Sequence, residues 1–294
     1  MSRIGTRYQY DNYSRTIQQT YGRMVRTQQE LLTGKRADLS VNNPAGTAVV
    51  VRSSVLKNAV VQYQNNLVSA NDYLKNSESA LGEINTLLQE AYQLGLQGAN
   101  SSTDQAARDV MANQVSALQR RLVELGNAQG GSNQYLFGGQ LNTSAPFAVA
   151  GPTVAFSGDN NDVVVEVAAG QTLPVNTRAG TMITNAYNAL ESLRSNLQSG
   201  SLSLISGADL QALQSSMATV RTERGRIGAS LQEVQTRTTQ NTRRIDELTE
   251  RIADVEEVDM AEALTEFQLA QTAYQAALTS ITQAQRLSLM DYIR

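Results

Sequence analysis

The chain has 294 residues and a formal charge of −3, contains no Cys, His or Trp, and draws its basic residues almost wholly from Arg, with Lys35, Lys57 and Lys75 the exceptions. That pool excludes a thiolate nucleophile, an imidazole base, a Cys/His zinc site and a disulfide framework, and a charge so close to neutral gives no basic face for nucleic acid. Two or three domains fit this length, whereas apolar runs such as Ala48–Val51 fall far short of the roughly 18 residues that cross a bilayer, so no membrane span is expected.

In chain order, Met1–Thr33 comes first. Met1–Gln9 has neither the apolar core nor the small-residue cleavage site of a secretory signal peptide. The segment reads instead as an amphipathic helix with Tyr10, Ile17, Tyr21, Met24 and Leu31 along one stripe and many Arg outside it. Gly34 follows as a C-terminal cap, and Asn43 before Pro44 reads as an N-cap with Pro at the first helical position.

From Leu56 the positions Val60, Tyr63, Leu67, Ala70, Leu74, Ser77, Leu81, Ile84, Leu88 and Ala91 alternate in steps of three and four, the seam of a coiled-coil-like helix. Ser53–Gly98 would span about 70 Å at 1.5 Å per residue. Gly98–Asp104 reads as a hairpin loop, Met111, Val115, Leu118, Leu122 and Leu125 mark a shorter helix, and Ile183, Ala186, Leu190, Leu193 and Leu197 mark another.

Between those two, from Gly130 to Gly180, Pro146, Pro152 and Pro174 appear among clustered glycines, and Thr153–Phe156, Val163–Val167 and Gln171–Val175 favour strand. A second long seam then runs through Met217, Val220, Arg224, Ile227, Leu231, Val234, Thr238, Asn241, Ile245, Leu248, Ile252 and Val255, predicting a helix over Asp209–Glu256. Its phase breaks near Val258–Ala261, a candidate domain boundary, and Leu264, Phe267, Tyr274, Leu278 and Ile281, with Leu287 and Leu289 beyond them, form the stripe of a C-terminal helix.

These elements predict a mainly α fold: a long antiparallel helical bundle or coiled coil with a small β-rich insertion and paired N- and C-terminal helices. The expected domains are residues 1–42 with 258–294 for the terminal helices, 43–133 with 182–257 for the bundle, and 134–181 for the insertion.

Ordering a terminal segment of this kind costs about 1–2 kcal/mol per residue in backbone entropy, while each large apolar side chain returns about 1.5–3 kcal/mol if buried. An isolated pair of such helices is marginal in water. The expectation is therefore that the two ends are largely disordered in a single copy and become helical when neighbouring copies cover the stripes. The candidate assembly residues are Tyr10, Ile17, Tyr21, Met24, Leu31, Leu264, Phe267, Tyr274, Leu278, Ile281, Leu287 and Leu289. Charge favours joining the ends, because Arg3, Arg7, Arg15, Arg23, Arg26, Lys35 and Arg36 face an acidic stretch running from Asp246 to Glu266.

Two motifs frame the chain. Gln28–Arg36, Q-Q-E-L-L-T-G-K-R, followed by Asn42-Asn43-Pro44-Ala45-Gly46, resembles the N-terminal region of bacterial flagellins and their hook-associated relatives, and the stretch from Asp259 to Ile293, with Y-Q-A-A-L-T-S-I-T-Q-A-Q-R-L-S-L, resembles the matching end. Asn133–Phe147, N-Q-Y-L-F-G-G-Q-L-N-T-S-A-P-F, and Phe156-Ser157-Gly158-Asp159 before a Val-rich strand are more similar to the hook–filament junction members than to filament flagellin, although the insertion is short. The resemblance implies a non-enzymatic structural subunit without a cofactor, a catalytic site or a metal. It implies export through the flagellar type III apparatus with a dedicated export chaperone, and extracellular assembly as a homo-oligomeric ring between hook-associated protein 1 and flagellin. In such an assembly the terminal helices line a central channel and the β-rich domain faces outward.

Other readings of the same residues are weaker. Arg224, Thr238 and Asn241 at seam positions suit register better than a polar channel, and Tyr8, Tyr10, Tyr13 and Tyr21 suit helix packing better than a nucleic-acid platform. Thr33-Gly34-Lys35 lacks the upstream Gly and strand of a phosphate loop. An Arg-rich start resembles a transit peptide, which leaves the matching C-terminal helix unexplained. A signalling coiled coil accounts for the heptads but not for the Pro- and Gly-rich insertion.

Overall fold

The computed structural model describes residues 2–37, 39, 43–131 and 133–292, with side chains described at residue 8 and, within those bounds, from 11 to 283. Among the described residues six substantial helices and two hairpins follow one another: α1 (Ser2–Thr33), α2 (Pro44–Gly98), α3 (Gln105–Gly126), β1 (Phe147–Ala150), β2 (Thr153–Phe156), β3 (Val164–Ala168), β4 (Gln171–Pro174), α4 (Gly180–Ser199), α5 (Leu210–Glu256) and α6 (Met260–Tyr292). The fold is mainly α with a small β-rich insertion, as the periodicity predicts. Contacts divide it into two compact units, Val60–Arg243 and Met1–Ala59 with Arg244–Arg294, so the division runs through the two longest helices.

In the Val60–Arg243 unit the α2 seam is buried where the three-four step puts it, with Leu67, Leu81, Ile84, Leu88 and Ala91 fully covered. Val115 and Leu122 of α3, Ile183, Leu190, Leu193 and Leu197 of α4, and Met217, Val220, Ile227 and Val234 of α5 complete one continuous core. Helices approach closely where glycine allows it: a Cβ on Gly95 would lie 2.8 Å from Leu210 Cδ2. Arg224, the charged seam residue, donates from Nε at 2.9 Å to Glu78 Oε1 on α2.

The insertion is two separate antiparallel hairpins, with Phe147 opposite Phe156 in the first and Val164 opposite Pro174 in the second. Phe147 joins the first hairpin to the helices. Its N–H donates to Asn127 Oδ1 and its carbonyl accepts from Asn127 Nδ2, at 2.9 and 2.8 Å, while its ring lies 5.0 Å from that of Phe156. Tyr73 of α2 reaches the loop before the hairpin, donating to the Leu136 carbonyl at 2.6 Å, and burial pushes its phenol up to about 12.

In the other unit, the turn chemistry read from the sequence is present atom by atom. Gly34 closes α1 with φ +68° and donates to the Glu30 carbonyl at 2.8 Å. Asn43 caps α2, its Oδ1 accepting from Gly46 N–H at 2.8 Å, so α2 begins a little over two turns before Ser53. Asp259 does the same for α6, accepting from Ala261 N–H at 2.8 Å, which explains the phase break at this point.

A candidate assembly interface

The candidate surface belongs to α1 and α6. They run antiparallel: Lys35, just beyond α1, bridges Glu257, just before α6, and a turn-by-turn walk away from that end brings Tyr21 against Tyr274. The end is held by backbone bonds from Arg36 N–H to the Glu256 carbonyl at 2.9 Å and from Val258 N–H to the Gly34 carbonyl at 3.0 Å. Lys35 Nζ also meets Glu256 Oε1 at 2.9 Å, one direct pair between the basic and acidic stretches. The pair is largely exposed and sets register more than stability.

The two helices meet along a seam of mixed size. On α6, Ala263, Phe267, Ala270, Tyr274, Ala277 and Ile281 are the covered positions, and on α1 they are Ile17, Thr20, Met24, Thr27, Glu30 and Leu31. Alternating alanines let the helices close over the larger rings. The sequence stripe had missed Ala263, the most buried residue of α6 at 3% exposure, along with Thr27 and Glu30. The seven-residue spacing of Ala263, Ala270 and Ala277 was the available signal, masked because small residues carry little weight in a hydrophobic pattern.

The stripe therefore divides. Ile17, Met24, Leu31, Phe267, Tyr274 and Ile281 are partly covered within the chain, whereas Tyr21, Leu264 and Leu278 face outward. The side chains of Tyr10, Leu287 and Leu289 lie outside the described residues. More apolar groups join the outward set, among them Val25, Leu32, Met260 and Leu269, the last two thirds exposed at 66%. Leu269 also borders a groove of about 580 Å³ formed with Thr20, Arg23, Arg26, Thr27, Glu30, Glu266, Ala270 and Ala273. Apolar surface of this extent along both helices of a pair is the ordinary mark of a protein contact.

Chemistry elsewhere is sparse. Carboxylates held below their usual range have structural reasons: Glu191 through hydrogen bonds from Arg194, and Asp162 through those from Arg178. Asp159 is held down chiefly by the N–H of Gln140. Among the described residues no cluster of potential metal ligands occurs, and no helix is long and apolar enough to cross a membrane.

The N-terminal helical region of bacterial flagellin matches residues 4–142, and the C-terminal helical region matches residues 210–293. The chain belongs to the bacterial flagellin family. The α1–α6 pair lies within the two matched regions, and the family's structural role in the flagellum makes this chain a flagellar component. Flagellar hook-associated protein 3 of Escherichia coli (strain K12) is 23% identical over 317 residues, covering 98% of this chain and 99% of the relative. Flagellin of Listeria monocytogenes is 27% identical over 141 residues, 48% of each chain. Among solved structures, the flagellar junction protein of Legionella pneumophila shares the fold with a TM-score of 0.56 at 13% identity, over 71% of this chain and all of that one.

Proposed function

We propose that this chain is the adapter at the hook–filament junction of the bacterial flagellum, a structural subunit that joins hook-associated protein 1 to flagellin. The observation that carries this reading is coverage: similarity to hook-associated protein 3 runs from end to end of both chains, whereas similarity to flagellin covers 48% of each. Filament flagellin itself is the alternative, since both types share the matched terminal regions.

In this reading α1 and α6 are the inner assembly domain, residues 1–42 and 258–294, and residues 134–181 form the outer β-rich domain. The helical remainder, residues 43–133 and 182–257, is the bundle domain. Tyr21, Leu264 and Leu278 supply the outward apolar contacts between copies in a ring, and the Ile17, Met24, Leu31, Phe267, Tyr274 and Ile281 seam holds each copy's two ends together. A flagellar export chaperone carries the chain to the flagellar type III apparatus, through which it leaves the cell.

A deletion strain tests the role. It is expected to keep hooks, lack filaments and release flagellin monomers into the medium; filaments of normal length on the deletion strain would refute the adapter. Labelled protein seen by electron microscopy at the distal end of the hook, and not along the filament, separates the adapter from flagellin.

A further inference from the structure

The connection from α4 to α5 is built around one buried acid. After Gly200, which takes φ +69°, the chain makes a short helical turn at Leu202–Leu204 and then a π turn at Ile205–Asp209 before α5 proper begins. A π turn inserts an extra residue into the helical ladder, a costly geometry that proteins keep where it positions a side chain. Here the side chain is Asp209, only 3% exposed although it is a carboxylate.

Its partner is Asn196, near the end of α4. The Asn196 Nδ2 donates to Asp209 Oδ2 at 2.8 Å, while the Asn196 carbonyl accepts from Ser201 N–H at 3.1 Å. One residue thus ties the end of α4 both to the loop and to the start of α5. Gln105 of α3 adds a third tie, its Nε2 donating to the carbonyls of Leu197 and Gln198 at 3.0 and 2.9 Å.

Among the described residues no cation compensates the acid. Burial raises the Asp209 carboxyl above its usual range and the Asn196 amide only partly opposes this. The cations of the neighbouring elements are committed elsewhere: Arg194 of α4 binds Glu191 and Gln198, and Arg108 of α3 binds the carbonyls of Gly98 and Asn100. Gln214, one turn into α5, donates to the Tyr92 hydroxyl of α2 at 2.9 Å. Buried ionised carboxylates without a cationic partner weaken the structure around them.

We propose that the Asn196–Asp209 pair is a proton-sensitive latch on the α4–α5 connection, closed when the carboxyl is neutral and prone to local opening when it is ionised. The sign follows from linkage. A group whose pKa is raised on folding adds stability that is present below its unfolded value and is lost as pH rises through its folded value. At neutral pH the ionised carboxyl therefore loosens the turn, and acidification tightens it.

Hydrogen exchange of the full-length chain, read as protection factors for residues 200–215 between pH 4 and pH 7.5, tests the latch. The wild-type turn is expected to lose protection by about threefold or more as pH rises across this range, and Asp209→Asn to hold the low-pH protection throughout. Circular dichroism of the variant checks that it folds. Identical pH profiles for wild type and Asp209→Asn would overturn the proposal. As a readout without a mutation, carbon NMR titration of the Asp209 carboxyl is expected above the ordinary aspartate range, and an ordinary titration would equally overturn it.

Discussion

Tyr21 of α1 and Tyr274 of α6 lie with ring centroids 5.6 Å apart and planes tilted by 47°, joining two residues separated by most of the chain. Such tilted pairs contribute about 0.5–1.5 kcal/mol beyond the area they bury, and Tyr21, half exposed, places this one toward the lower end. In a cycle of Tyr21→Ala, Tyr274→Ala and the double variant, the critical concentration for polymerisation is expected to reveal a coupling of about 0.5 kcal/mol or more. Strict additivity would mean that the rings touch without helping the assembly.

Ala263 and Leu264 are adjacent in sequence and opposite in environment. Ala263 is 3% exposed against α1 and Leu264 is 49% exposed. Ala263→Leu overfills the seam and is expected to cost about 1–3 kcal/mol in the pairing of the two ends. Leu264→Ala removes surface that a neighbouring copy would cover, so the thermal transition of the isolated chain is expected to move by less than about 0.5 kcal/mol. Its critical concentration should nevertheless rise. An unchanged critical concentration in Leu264→Ala would argue that Leu264 has no external partner.

The contrast explains what the sequence disclosed and what it withheld. Long seams were legible because Leu67, Leu81, Leu88, Val220 and Ile227 are large, apolar and evenly spaced, and the same positions are buried. Caps were legible too, since Asn43, Gly34 and the break before Asp259 depend on local backbone chemistry alone. The strand Phe147–Ala150 was not read as a strand, because four residues between Pro146 and Gly151 give no measurable alternation. The α1–α6 seam was legible only in part: Ile17, Met24, Leu31, Phe267, Tyr274 and Ile281 of the stripe lie in it, whereas Ala263, Thr27 and Glu30 carry too little hydrophobic weight to show in a pattern. The Asp209 latch left no trace in the pattern, as a π turn is a tertiary compromise and not a local preference.

Arg224 and Glu78 supply a further test. Their side chains are about one third exposed, and the second carboxylate oxygen of Glu78 is buried without a hydrogen bond. Removing the guanidinium alone leaves that acid stranded in the seam between α2 and α5. Arg224→Leu is thus expected to destabilise the Val60–Arg243 unit by about 1–3 kcal/mol, and the Arg224→Leu/Glu78→Leu pair to recover most of the loss in urea unfolding. No recovery in the double variant would assign the cost to packing of the Arg224 stem.

Acid should expose a separate weakness in α4. Glu191 is held below its ordinary value of 4.5 first by the hydrogen bonds from Arg194 and then by the amide of Gln119. A carboxyl depressed on folding adds stability that is present above its unfolded value and lost as pH falls through the folded one. The thermal transition is therefore expected to decline below about pH 4.5, the ordinary carboxylate value, with Glu191→Gln flattening that part of the curve. A decline of the same depth in the variant would trace the acid sensitivity to other groups.

The decisive physical test concerns the ends themselves. Among the described residues α1 packs chiefly against α6, and Tyr21, Val25, Leu32, Leu264 and Leu269 stay at least 40% exposed. Fixing the backbone of each residue costs about 1–2 kcal/mol, against about 1.5–3 kcal/mol returned only by apolar side chains that are fully buried. Coverage this incomplete favours an ensemble in which the ends order on assembly. In dilute solution, amide exchange over residues 1–33 and 260–292 is expected within the dead time of the measurement, with trypsin cutting first at Arg15, Arg23 and Arg26. Polymerised protein should protect both segments together, because each supplies the other's seam. Strong protection of residues 1–33 in the dilute single copy would mean that the α1–α6 pair is self-sufficient, and the outward apolar residues would then lose their role in driving assembly.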